Sequence, residues 1–271
     1  MTMLLIYKIS RRESMQKLIK AITIFIILTA TNLFAKEEDK NIKLIDIAGK
    51  QRMLSQRIAK DYLYLHKNIA TRKTEKELQV SIKEFFKSHK ILVNAIKNEE
   101  IKNLLDFVEL SSNDFNQTIH KSFSLDNAQL ILDLSESMLE GSQYIVNSIK
   151  HTCRKERSKI IDIAGKQRML AQRIAKYYIA YQTGIRDENT VRSMKQSIID
   201  FNNNLNILLR SKENTPAIQK KIDGVNTLWK IVHKFYKDIE KGGLPLIVFN
   251  TTDKITKKMN EITQLYLMIQ K

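Results

Sequence analysis

Cysteine is nearly missing from this 271-residue chain, where Cys153 stands alone. An intramolecular disulfide, a C-x-x-C metal pair and a C-x-x-C-H haem attachment are thereby excluded. Two prolines and seven glycines are too few for a collagen-like, low-complexity or turn-dense all-β chain, and such scarcity of breakers predicts long helices. The sequence also lacks a nucleophile with base and orienting partner, paired carboxylates in an apolar stripe, and a glycine-rich phosphate loop. It therefore reads as a non-enzyme, with no cofactor and no metal site expected.

Acidic residues are the minority, 29 Asp+Glu against 46 Lys+Arg, for a formal charge of +17. Such a charge suits nucleic acid, anionic lipid or small anions. The segment Met15 to Ala35 narrows the choice. Lys17 and Lys20 precede an apolar run from Ala21 to Ala30, and Leu33-Phe34-Ala35 stands before a charged KEEDK, the pattern of an export signal. The run is short and interrupted by Thr23, Thr29 and Thr31, a poor membrane span. Residues 1–35 are thus expected to be a signal peptide or an N-terminal membrane anchor, with translation starting at Met1 or Met15. Removing them takes away five basic residues and one acidic, lowering +17 to +13. A periplasmic protein, cleaved or tethered to the inner membrane, does not meet the genome, so nucleic acid is not expected as a partner.

A repeat organises the rest. Residues 45–60 read IDIAGKQRMLSQRIAK and residues 161–176 read IDIAGKQRMLAQRIAK, differing only at Ser55 and Ala171. The offset of 116 continues more weakly, aligning Leu78 with Met194, Phe85 with Phe201 and Leu92 with Leu208. Apolar residues at 3-4 spacing mark four helices per copy. The expected fold is all-α: two tandem up-and-down four-helix bundles, 36–150 and 151–271. With no proline before Pro216, the bundles would be joined end to end by one continuous helix of roughly 85 Å.

On a helical wheel, Ile45, Ala48, Gly49, Arg52, Ser55, Gln56 and Ala59 fall within about 60° of Arg52. Leu44, Ile47, Leu54, Ile58, Tyr62 and Leu65 form a second face, assigned to the bundle core. The first stripe reads as a contact surface whose small residues admit another helix closely. Ala164, Gly165, Arg168, Ala171 and Gln172 repeat it. If the facing helix came from a second subunit, two-fold symmetry would set Arg52 against its own copy, and Arg168 likewise. Two guanidiniums in a dry seam repel, which favours capture of an anion between them. A planar oxyanion such as nitrate or nitrite accepts from two such forks, although a carboxylate or phosphate oxygen also fits. Arg52 and Arg168 are the candidate ligand residues, with Ala48, Gly49, Ser55, Gln56, Ala164, Gly165, Ala171 and Gln172 as the supporting seam.

The duplicated segment resembles the P-box of NarX-like and PilJ-type sensor domains, the periplasmic helical bundles of nitrate/nitrite sensor kinases and type IV pilus chemotaxis transducers. The resemblance implies a dimeric ligand-sensing bundle whose P-box arginine, here Arg52 and Arg168, binds nitrate or nitrite between subunits. Such members continue into a second membrane span and an output region, whereas the chain given ends at Lys271, so the signal is expected to pass to a separate membrane receptor or other partner. The competing reading is a structural or adaptor bundle for a receptor or pilus system, its small-residue stripes serving only helix packing, its arginines paired to acidic residues of a partner, and no small ligand bound. His89 is expected at a core edge, Trp229 as a core anchor, and Arg57 and Arg173 on the surface.

Overall fold

A computed structural model describes the backbone of residues 2–151, 153, 155–237, 239–241 and 243–269, with the side chains of 2–19, 21, 24–35, 155–157, 237 and 241 left out. Among the described residues there are eight α-helices and no strand. They are α1 (Thr2–His66), α2 (Thr71–Ala95), α3 (Glu99–Thr118), α4 (Leu125–Lys150), α5 (Lys155–Thr183), α6 (Glu188–Leu209), α7 (Pro216–Lys237) and α8 (Pro245–Ile269). The chain is all-α, as its shortage of breakers implied. Both prolines open helices, at the one position where a missing N–H costs nothing. Side-chain oxygens of Asn98, Ser124 and Asp187 accept from the first turns of α3, α4 and α6. Gly184, at φ +117°, ends α5 in the conformation glycine adopts freely.

Met1–Asn41 and Ile42–Lys271 form separate compact units. In the export-signal segment 15–35 only the side chains of Lys20, Ile22 and Thr23 are described, so that reading lies largely outside the described residues; among the described residues, no helix is long and apolar enough to cross a membrane. The second unit holds both copies of the repeat.

Among the described residues the continuous joining helix is not found. α4 ends at Lys150, His151 is a turn and α5 begins at Lys155. Bonds from Lys150 to Asp162, Arg173 to Glu136 and Lys176 to Ser135 show that α5 returns antiparallel to α4. α4 is also antiparallel to α1, through Arg52 to Gln143 and Gln56 to Ser135. Hence α1 and α5 run parallel, at the same level. The repeats lie side by side, sharing a seam of α1, α4, α5 and α8, rather than end to end. This arrangement compels the reversal: each copy returns to its starting end after four helices, so a straight continuation would carry the second motif away from the first. Both copies contribute to one apolar core, including Leu54, Phe85, Val108 and Ile145 from the first and Leu170, Phe201, Trp229 and Ile262 from the second.

Candidate functional site

The duplicated segments sit at the centre of that seam. Ala48, Arg52, Ser55, Gln56, Ala164, Gln172 and Arg168 are at most 1% exposed and Ala171 3%, and Gly49 and Gly165 are buried too. The arginines fill the space where glycine side chains are lacking. A methyl on Gly49 would stand 3.0 Å from Arg52 Nη2 and 3.6 Å from Arg168 Nη2; on Gly165 it would stand 3.2 and 3.5 Å from the same atoms. The two guanidinium ends therefore meet. Arg52 faces Arg168 of its own chain, not its own copy from a second subunit, because the tandem repeat supplies the two-fold partner internally.

Each arginine is also held by an aspartate of the other repeat. Arg52 Nη1 donates to Asp162 at 2.9 Å and Arg168 Nη2 to Asp46 at 2.6 Å, a reciprocal pair under the 116-residue offset. Arg52 Nη1 further donates to Gln143 and Arg168 Nη1 to Asn260. Lys150 and Lys166 add positive charge to Asp162, at 2.6 and 3.6 Å. Four cations thus surround two carboxylates. Burial opposes ionisation of Asp162, but Arg52, Lys166 and Lys150 outweigh it and hold the carboxyl down to about 2. Burial pulls the Arg52 guanidinium below its ordinary value, Arg168 pulls the same way, and Asp162 and Asp46 offset this only in part. Arg52 Nε and Nη2 and Arg168 Nε are buried with no hydrogen-bond partner among the described residues, although a buried donor left so costs ~1–3 kcal/mol.

Gln56 donates to the Ser135 carbonyl and Gln172 to Thr256 Oγ1, so both amides bond within their own repeats rather than reaching the arginines. Arg173 is not a surface charge: it donates to Glu136 at 3.1 and 2.5 Å. The same Glu136 takes Lys176 Nζ at 2.5 Å, while Lys60 bonds Asp253 at 2.9 Å. Lys60 and Lys176 are both fully buried. Sequence reasoning missed these cross-repeat bonds and the two aspartates. A signal was present, since Asp46, Arg57 and Lys60 recur unchanged as Asp162, Arg173 and Lys176 in an otherwise diverged repeat; a merely solvated face has no reason to stay fixed. His89 is buried beside Gln51 and Glu109, and Trp229 packs on Phe201 with its N–H on Asn202. Among the described residues no cluster of three or more His, Cys, Asp or Glu is placed to hold a metal ion.

The repeats differ at Asp61, whose counterpart is Tyr177. Asp61 is fully buried and 3.1 Å from Lys60 Nζ, but that ammonium is shared with Asp253 at 2.9 Å. Burial, only partly offset by Lys60 and Arg57, raises the Asp61 carboxyl to about 7. The folded chain then holds this proton more tightly than the unfolded chain between its ordinary value near 4 and about 7. This contribution to stability falls as pH rises through that window and stays lost above it. Asp61→Asn should accordingly stabilise the protein at pH 8 by about 1–3 kcal/mol and leave it unchanged near pH 4. Thermal melts of both proteins from pH 4 to 8 check this; a constant difference across the range would be the wrong result.

A family model described as type IV pili methyl-accepting chemotaxis transducer N-term (PilJ) matches residues 35–99 and 153–248. No curated protein and no solved structure matches the chain. The matched residues make up more than half of the sequence and include both duplicated segments, so the chain belongs to the PilJ family of sensory, chemotaxis-transducer domains.

Proposed function

We propose that this protein is an extracytoplasmic sensor that binds a small planar oxyanion, nitrate or nitrite by preference, at the Arg52–Arg168 pair and passes the change on to a chemotaxis-type signalling partner at the membrane. The observation that carries the reading is the set of buried, unsatisfied donors on Arg52 Nε and Nη2 and Arg168 Nε, within a cluster where cations outnumber carboxylates. An anion there relieves the repulsion between guanidiniums and supplies the missing acceptors. Because α1, α4, α5 and α8 all contribute to this point, a bound ligand favours one packing of the repeats over another.

The reciprocal aspartates favour a second reading, an adaptor bundle whose arginines are structural and take no ligand. The two readings separate on titration of nitrate, nitrite, sulfate and acetate against thermal midpoint. Nitrate at a hundredfold over its Kd should raise the midpoint by roughly 5 °C, sulfate and acetate much less. That gain should be lost in Arg52→Ala/Arg168→Ala and in the milder Arg52→Lys. An equal response to every anion in wild type and variants leaves the adaptor.

A further inference from the structure

The two arginine–aspartate pairs are related by the repeat but are not equivalent in their surroundings. A cleft of about 510 Å³ opens between α1, α2 and α8, and its wall carries Asp46, Asn260 and Gln264 alongside Lys50, Arg57 and Lys257. Its counterpart of about 570 Å³ between α4, α5 and α6 is walled by Gln143, Asn147, Lys166 and Arg173, with Asp162 behind that wall and its side chain only 2% exposed. Asp46 is 16% exposed and, among the described residues, is ion-paired with Arg168 and accepts from Gln264 at 3.0 Å. Asp162 is held by three cations, Arg52, Lys150 and Lys166.

We infer that, on the oxyanion reading above, the anion reaches the arginine pair through the α1/α2/α8 cleft and binds by displacing Asp46 from Arg168, while Asp162 stays on Arg52. Asp46 is a carboxylate already seated on an arginine fork, an internal competitor of the same shape and charge class as the ligand. The anion takes the place of Asp46 on Arg168 Nη2 and, unlike that tethered carboxylate, also accepts from the unpartnered Arg52 Nη2 that flanks the same glycines. The released Asp46 swings into a cleft whose wall bears Arg57 and Lys257 beside the Lys50–Glu84 ion pair, where solvent, Arg57 and Lys257 receive it. Displacement also breaks the bond from Gln264 to Asp46, one of the links between α1 and α8, and so ties ligand arrival to the packing of the last helix. The pseudo-symmetric chain holds one ligand, not two.

Calorimetric titration of the full chain with sodium nitrate tests this. Asp46→Asn should bind about tenfold tighter than wild type, the scale expected when a close carboxylate competitor is neutralised, with one nitrate per chain. Gln264→Ala, which loosens Asp46 without touching either arginine, should tighten binding by about threefold. Asp162→Asn should bring no gain. Binding detectable only in Asp46→Asn also supports the exchange. Unchanged affinity in Asp46→Asn and Gln264→Ala, or an equal gain in Asp46→Asn and Asp162→Asn, overturns the displacement while leaving the oxyanion reading intact. Absence of nitrate binding in wild type and in every variant overturns both.

Discussion

Replacing Asp162 by alanine is expected to cost about 3–5 kcal/mol of unfolding free energy, and replacing Asp46 about 1–2 kcal/mol. Both residues answer a buried arginine, so a count of ion pairs predicts equal losses. Location decides otherwise. Arg52 is fully buried and Asp162 is 2% exposed, so removing that carboxylate strands a guanidinium, with Lys150 and Lys166 close by. Asp46 borders an open cleft, and water or a buffer anion admitted there can cover Arg168. The Asp162 carboxyl gives a pH signature. Its folded value of about 2 lies below its ordinary value near 4, so its contribution is fully present above about 4 and is lost as pH falls towards 2. Urea denaturation of both alanine variants at neutral pH, with wild type followed down to pH 2.5, measures these effects. Losses of equal size would mean that Arg52 and Arg168 are solvated alike.

Legibility in the sequence followed the range of the interactions concerned. Helix positions rest on 3-4 spacing within one segment, and Leu78, Phe85 and Leu92 do line the buried face of α2. The stripe around Arg52 is a local property of one helix too, and its members are buried together. What faces that stripe is not local. Parallel packing of α1 and α5 depends on α5 returning antiparallel to α4, and the sequence HTCR between the two helices offers no glycine or proline to announce it. Once the reversal is in place, Asp162 falls opposite Arg52 and Asp46 opposite Arg168, with no further choice to make. The charged residues were harder still. Lys60 and Lys176 look like solvated lysines on a wheel and become buried only because a second copy of the bundle covers them. Their identity in both copies was the available signal, since each must match a carboxylate on the opposite repeat.

That cross-repeat matching leads to the second large effect. Glu136→Ala should destabilise by about 3–5 kcal/mol, because it removes one carboxylate from two cations at once. Lys176 Nζ and Arg173 Nη2 both approach it at 2.5 Å, and the Lys176 side chain has no exposure to water. Burial alone opposes the charge on Glu136, yet Lys176 and Arg173 together hold its carboxyl down to about 2, so the triad stands or falls as a unit. Lys176→Met, which replaces the buried ammonium by an apolar group of similar length, should cost only about 1 kcal/mol. In the double variant the methionine needs no counter-charge, so about 2–3 kcal/mol of the Glu136→Ala loss should be recovered. A double-mutant cycle in urea reads this coupling directly. Strict additivity would show that Glu136 serves Arg173 alone and that Lys176 finds water when the repeats breathe apart. Recovery would instead place the buried ammonium inside a closed contact between repeats, so that the two halves of the chain unfold as one cooperative body.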